Sequence, residues 1–161
     1  AVAAGARITL LSTLDATALV WTPDGGERRI AVAELVVDNA ATSLAPGEVL
    51  RALDIPLTAL TSRVALQKIA LAELGRSGAV VTARVDPDGS SVFVVTAAVR
   101  RPRVLRFVRI PGAGELRDAV ASATDFYTDP LGSADWRRGV SVVLAERLRA
   151  GFAREAHEGA A

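Results

Sequence analysis

The clearest pattern of hydrophobic and polar positions is a pair of strand-like segments on either side of a turn. Residues 78–85 and 91–99 are rich in Val, Thr and Phe, and the residues between them, Asp-Pro-Asp-Gly at 86–89, are those that β-turns favour. This pattern predicts a β-hairpin. Residues 103–110 predict a further strand that ends at the Pro-Gly pair 111–112. Together these segments predict an antiparallel three-stranded sheet.

Helical periodicity follows the predicted sheet. Residues 114–123 predict a short helix, and a longer one begins after Ser133, a typical N-cap residue, with Asp135 in its first turn. The longer helix runs to about residue 153. Its apolar positions fall on one face: Trp136, Val140, Val143, Leu144, Leu148 and Phe152. We therefore predict an α+β fold in which helices cover the antiparallel sheet.

The first part of the chain has a weaker pattern. Residues 7–14 place leucines on one helical face, and residues 17–22 and 27–32 predict two strands around a Pro-Asp-Gly-Gly turn. Residues 38–47 predict a polar loop. A strand at 48–55 then ends at a proline.

These elements suggest a division of the chain near residues 56–62. We predict part of an α/β subdomain at residues 1–58, a self-contained α+β domain at 59–153 and a flexible tail at 154–161.

Composition limits the possible functions. Half of the 161 residues are apolar, which is enough for a sizeable core, and the net charge of +1 gives no global attraction to nucleic acid or to a membrane. The chain has no cysteine, which excludes disulfides, thiolate metal sites and iron–sulfur ligation by its own residues. No apolar run approaches the roughly 20 residues of a spanning helix. We expect a cytoplasmic protein.

The usual sets of catalytic residues are missing from the sequence. The single histidine, His157, has no second histidine or cysteine near it, so we expect no metal site and assign no catalytic residue. Residues 100–109 contain five arginines, for which nucleic-acid binding is conceivable. Their alternation with apolar residues and the near-neutral net charge favour a solvated strand face instead, so we expect no nucleic-acid partner.

Two motifs carry a resemblance to a known family. Residues 46–56 read Pro-Gly-Glu-Val-Leu-Arg-Ala-Leu-Asp-Ile-Pro, and residues 132–138 read Gly-Ser-Ala-Asp-Trp-Arg-Arg. In this order, with the hairpin between them, residues 8–153 resemble the later part of the FAD-binding subunit of the molybdenum hydroxylases, the family of xanthine and carbon monoxide dehydrogenases. In that family, the glycine-rich segments that hold the flavin pyrophosphate lie upstream of the part that this chain matches.

The resemblance implies a cofactor, two binding residues and two partners. By position, Leu50 would pack on the flavin ring, and Lys68 would contact the flavin or its phosphate-bearing arm. The resemblance also implies that electrons pass from iron–sulfur clusters through FAD to an acceptor, and that an iron–sulfur subunit and a molybdopterin subunit are partners. Considered without the resemblance, Leu50 is better interpreted as a core strand residue, and Lys68 is equally well interpreted as an exposed surface lysine.

The sequence also departs from the pattern of the family. Ala72 and Arg76 stand where the family has arginine and aspartate, Ala6 stands near an acidic position, and Trp136 replaces a tyrosine. An aromatic at 136 preserves the fold, but three polar positions that would help to hold FAD have changed type. Two alternatives therefore stay open: a flavin-free structural or subunit-interaction module, and an unrelated α+β domain.

Overall fold

Three antiparallel sheets and four helices make up the part of the chain described by the structure, a computed structural model that covers residues 5–158. The helices are Ala6–Thr13 (α1), Val32–Leu35 (α2), Ala113–Ala121 (α3) and Ala134–Glu158 (α4). The strands are Thr17–Trp21 (β1), Glu27–Ala31 (β2), Val36–Asp38 (β3), Ala41–Thr42 (β4), Val49–Asp54 (β5), Arg63–Ala70 (β6), Ser77–Val85 (β7), Ser91–Thr96 (β8) and Arg103–Phe107 (β9). A 3-10 turn at Leu57–Thr61 joins β5 to β6.

The largest sheet has the strand order β6-β7-β8-β9 and is antiparallel throughout. The predicted hairpin is present as β7 and β8, with Val85 opposite Ser91. The sheet has four strands where the sequence predicted three, because β6 pairs along β7 with Gln67 opposite Val81. As an edge strand, β6 mixes polar and apolar residues, which weakens its pattern. The α+β class is confirmed.

Helices cover both faces of this sheet. One face packs against α3 and α4 and forms the main core. The buried members of this core include Val81, Val85, Phe93, Val95, Leu116, Val120, Leu144, Leu148 and Phe152. The other face of β7 and β8 packs against α1.

The contact between α1 and the sheet is polar. Thr9 and Thr13 of α1 are fully buried and form hydrogen bonds with the hydroxyls of Thr96 and Thr82 on the sheet. Leu10 remains 37% exposed. The predicted leucine face is therefore not the face that packs on the large sheet, because the opposing residues Thr82 and Thr96 bury best against hydrogen-bonding partners. Leu11 of the leucine face packs against a smaller cluster of Ala16, Ala18 and Val32 instead.

The first part of the chain forms a separate sheet, β2-β1-β5, and a short hairpin of β3 and β4. A small core of Ala16, Ala18 and Val32 packs against the β2-β1-β5 sheet. The β2-β1-β5 sheet and the β3–β4 hairpin are both antiparallel, which differs from the α/β arrangement predicted for residues 1–58. The reason is the tight turn between β1 and β2, since a connection this short can join only antiparallel strands.

The buried face of α4 differs from the predicted one at its start. Leu144, Leu148 and Phe152 are buried as predicted, but Val143 is 48% exposed. In the first two turns the buried positions are Arg137 and Ser141, both with 0% exposure. Residues 154–158 continue α4, and the rest of the predicted tail lies outside the described residues. No helix among the residues described is long and apolar enough to cross a membrane.

Candidate functional site

Leu50 lies on β5, an edge strand of the β2-β1-β5 sheet. Its partner across the strand pair is Val20, and Leu53 faces Ala18, so both leucines project to the side of the sheet that carries the small core. A β-bulge at this point inserts Arg51, whose guanidinium lies 5.0 Å from the Trp21 ring centroid. Val20 is fully buried, whereas Leu50 is 39% exposed and still presents apolar surface.

An ion pair anchors the chain immediately before β5. Glu48 accepts two hydrogen bonds of 2.7 Å from the guanidinium of Arg28 and a third, also 2.7 Å, from the backbone N–H of Ala45. The bonds from Arg28 and then from Ala45 lower the pKa of Glu48 to about 2. Gly47 turns the chain with a φ of 83°, a conformation that glycine adopts without steric cost. Together these contacts fix the start of the strand that carries Leu50.

Lys68 lies on the edge strand β6. It sits opposite Val80 and shares its side of the strand with Val64 and Leu66, all on the sheet face to which α1 packs. The helix does not reach this edge, so Lys68 is exposed, and Val64 and Leu66 are 37% and 40% exposed. Within the described residues Lys68 forms no ion pair.

Exposed apolar side chains are concentrated between these two strands. Of the fifteen large hydrophobic side chains that are exposed among residues 5–158, ten lie in residues 49–74, which we call the 49–74 segment. They are Val49, Leu50, Leu53, Ile55, Leu57, Leu60, Val64, Leu66, Leu71 and Leu74. Exposed apolar surface on this scale is typical of a ligand or protein contact. The segment carries both residues that the resemblance assigns to flavin binding, Leu50 and Lys68.

The positions that depart from the family lie on or beside other elements. Ala6 is the first residue of α1. Ala72 lies in the turn between β6 and β7, where its carbonyl accepts a hydrogen bond of 2.9 Å from Gly75, and Arg76 is exposed just after that turn. None of the three positions lies within a strand, so the fold tolerates the loss of a polar group at Ala6 and Ala72 and the reversed charge at Arg76.

The described residues can be compared with the two parts of FAD that a protein must hold, the flavin ring and the pyrophosphate. A planar apolar ring suits the exposed strand surface at Leu50, and the ammonium of Lys68 suits an electron-rich or anionic group. A pyrophosphate needs a glycine-rich loop or helix start with free backbone N–H groups. Among the described residues, the glycines with positive φ all lie in turns: Gly25, Gly47, Gly89 and Gly132. The exposed residues Leu50 and Lys68 therefore suit the ring of a flavin, whereas none of these four turns is the glycine-rich helix start that a pyrophosphate needs.

The second motif forms a buried polar cluster that the sequence did not predict. Arg137 is completely buried, and its guanidinium donates to the carbonyls of Gly78 (3.2 Å) and Ala97 and to the carboxylate of Asp129. Its Cζ atom also lies 4.2 Å from the ring centroid of Tyr127. These contacts join the start of α4 to β7 and to the end of β8.

Trp136, next to this cluster, fills the space above two glycines. A Cβ atom at Gly78 would lie 2.6 Å from the Trp136 ring, and one at Gly132 would lie 2.5 Å from it. Both positions therefore need glycine, and both glycines stand out in the sequence: one opens the predicted hairpin and the other opens the second motif. The ring packs the start of α4 onto β7.

Within the part of the chain described, no group of three or more His, Asp or Glu side chains could hold a metal ion. The side chain of His157 lies outside the described residues.

Comparison with solved structures defines the class of fold. The chain is similar to a chain of quinoline 2-oxidoreductase from Pseudomonas putida 86, with a TM-score of 0.74 and 18% identity over 92% of this chain. It is also similar to a chain of the Cu,Mo-CO dehydrogenase, with a TM-score of 0.74 and 20% identity over 90% of this chain. A third similarity is to CO dehydrogenase from Oligotropha carboxidovorans, with a TM-score of 0.73 and 22% identity over 89% of this chain.

The likeness is one of fold, and it confirms the resemblance in fold that the two motifs indicated. This chain spans 56% of the length of each of these matched chains. No protein-family model matches the sequence, and no curated protein matches it either.

Proposed function

We propose that this chain is the C-terminal part of an FAD-binding subunit of a molybdenum hydroxylase-like oxidoreductase. The observation that carries the proposal is the fold, which matches chains of quinoline 2-oxidoreductase and CO dehydrogenases over about nine-tenths of this chain. When bound, FAD would accept electrons from iron–sulfur clusters and pass them to an external acceptor.

In this proposal, the role of the chain is to bind and orient the ring of the flavin. Leu50 supplies apolar surface at a position held by the β-bulge and by the Glu48–Arg28 ion pair. Lys68 supplies a positive charge on β6, where it forms no ion pair among the described residues. The pyrophosphate has to be held by residues other than those described. We expect weak flavin binding by the chain alone.

The proposal includes partners and a compartment. The partners are an iron–sulfur subunit and a molybdopterin subunit of the same complex, and the compartment is the cytoplasm. The 49–74 segment supports an association with other protein, since it exposes ten large apolar side chains.

A second candidate function is a structural or subunit-interaction module without flavin. It is supported by Ala6, Ala72 and Arg76, which replace polar or charged types that would help to hold FAD. The same 49–74 segment would then serve protein association alone. The two functions differ in whether Leu50 meets a flavin ring.

The test is a titration of riboflavin and FAD fluorescence with the purified chain and two matched variants. Leu50→Asp places a charge where the ring would pack and should abolish binding of both flavins. Val108→Asp makes the matching change at a valine that is 85% exposed after β9 and outside the 49–74 segment, and it should leave binding unchanged. Lys68→Gln should weaken FAD more than riboflavin if the ammonium meets the phosphate-bearing arm. Equal binding by wild type and Leu50→Asp contradicts the assignment, and no binding by wild type favours the flavin-free module.

A further inference from the structure

The outer edge of β9 lines a groove on the surface of the protein. In the described part of the chain, β9 is the last strand of its sheet, so its outer edge has no strand partner. The groove has a volume of about 810 Å³. Residues 101–106 contribute Arg101, Pro102, Arg103, Val104 and Arg106 to one wall. Residues of the α2–β3 segment and the loop after α3 form the others.

Two guanidinium groups at this groove are available to a ligand. Arg106 is paired with Asp15, and Arg100 beside the groove is paired with Asp38 at 3.1 Å. Arg101 and Arg103 are exposed and form no ion pair among the described residues. Arg103 is the first residue of β9, and Arg101 lies in the bend just before the strand, two residues upstream.

The rest of the lining defines what kind of anion would fit. Small apolar side chains also line the groove, among them Val37, which is 48% exposed, and the half-buried Val104. The carboxylates of Glu34 and Asp125 also line the groove and would repel a continuous row of phosphates. Among the described residues that line the groove none is aromatic, whereas single-stranded nucleic acid usually stacks on aromatic rings. Separate carboxylates on an extended apolar chain match this lining better than a nucleic acid does.

We propose that this groove binds an extended acidic peptide segment of a partner protein, which adds as a strand along β9. Backbone hydrogen bonds to the open edge of β9 would hold the peptide. Its carboxylates would pair with Arg101 and Arg103, and its apolar side chains would pack on the valines. This site is distinct from the 49–74 segment and does not depend on flavin binding.

The test measures fluorescence anisotropy of a labelled, end-capped decapeptide of alternating Glu and Val at low salt, with the full 161-residue chain. The double variant R101E/R103E should weaken binding about tenfold or more, because two attractive contacts become repulsive. The matched control is R76E/R154E, which makes the same change in net charge at two exposed arginines away from the groove, and it should bind within about twofold of wild type. A peptide N-methylated at alternate residues should bind poorly, because it cannot pair along a strand edge.

Three results would overturn the proposal. Equal losses in the two double variants would mean that the peptide responds only to net charge. Full binding of the N-methylated peptide would exclude strand addition. Tighter binding of a ten-nucleotide oligo-dT, lost in R101E/R103E, would assign the groove to nucleic acid. If circular dichroism shows that R101E/R103E is unfolded, R101Q/R103Q replaces it, and undiminished peptide binding by that variant would also contradict the proposal.

Discussion

The guanidinium of Arg137 lies over the ring of Tyr127, with 4.2 Å between its Cζ atom and the ring centroid, and both side chains donate to the carbonyl of Ala97. Ala97 follows β8 and has a φ of 63°, a left-handed conformation that costs a non-glycine residue about 1–2 kcal/mol. Two donors on one carbonyl hold this conformation in place. The cluster therefore fixes the point where the chain leaves the central hairpin.

Replacing Arg137 should destabilise the fold strongly. In Arg137→Leu, the carboxylate of Asp129 loses its charged partner, and the carbonyls of Gly78 and Ala97 lose a donor. Breaking a buried ion pair by removing one partner costs about 3–5 kcal/mol. Urea unfolding followed by circular dichroism measures this loss.

Arg154→Leu is the matched control for the previous prediction. Arg154 lies on the same helix and is exposed, so the change should alter the free energy of unfolding by less than about 1 kcal/mol. A loss at Arg137 no larger than the loss at Arg154 would show that the buried cluster does not stabilise the fold.

Substitution by alanine should lower the stability of the fold at Gly78 and raise it at Gly139. Gly78→Ala places a Cβ 2.6 Å from the Trp136 ring and should destabilise by about 1–3 kcal/mol. Gly139→Ala places a Cβ with nothing within 4 Å, inside α4, and should stabilise by about 0.5–1 kcal/mol through helix propensity. Thermal unfolding of the two variants checks the signs, and a shift of both in the same direction would contradict the packing described.

Most of the cost at Gly78 should disappear when Trp136 is removed. Trp136→Ala alone should cost about 3–5 kcal/mol, because a large packed side chain is lost. In that background Gly78→Ala should cost much less, since the two atoms nearest its Cβ belong to the indole ring and only the carbonyl oxygen of Leu131, at 3.3 Å, remains close. A double-mutant cycle measures the coupling between the two sites, and additive costs would mean that the clash lies elsewhere.

Asp15 should make the stability of the protein depend on pH below about pH 4. Burial tends to raise the pKa of Asp15, but hydrogen bonds from Arg106 and Arg84 outweigh it, and the pKa lies below its ordinary value. The unfolded chain therefore takes up the proton first as the pH falls. The stabilisation is complete above the ordinary pKa of aspartate and is lost as the pH falls through the folded-state pKa.

The variant Asp15→Asn tests this dependence. Asparagine tolerates the φ of 54° at this position but carries no charge. Between pH 7 and pH 3 the wild type should lose about 1 kcal/mol more unfolding free energy than Asp15→Asn, a modest value because the pair is partly exposed. Urea unfolding at the two pH values gives this difference. If the wild type and Asp15→Asn lose the same unfolding free energy between pH 7 and pH 3, the acid sensitivity comes from other carboxylates.

The sequence predicted the central hairpin and the end of α4 because their signals are local. Asp86 to Gly89 specify the turn, and Leu144, Leu148 and Phe152 follow helical spacing onto the core. The start of α4 could not be predicted in this way. A fully buried arginine has no hydrophobic signature, and its partners at Gly78, Ala97 and Asp129 come from distant or irregular parts of the chain.

The packing of α1 and the exposure of β6 also depend on contacts between distant parts of the chain, so the sequence alone did not predict them. Leucine spacing favoured one face of α1, but the packed face is set by threonines on β7 and β8 that the helix meets only in the folded protein. For the candidate site, the sequence supplied Leu50 and Lys68 through the resemblance alone. The exposure of these two residues, and that of the other large apolar side chains of the 49–74 segment, became visible only with the sheets in place.

The most direct test of the central claim is the visible absorption spectrum of the purified chain with excess FAD or excess riboflavin, before and after desalting. We expect both flavins to perturb their absorption bands on binding with similar weak affinity, and desalting to remove both, because the chain contacts the ring without holding the pyrophosphate. FAD that stays bound at one equivalent after desalting would contradict the absence of a phosphate site among the described residues. No binding of either flavin would contradict the claim that Leu50 and Lys68 form part of a flavin surface.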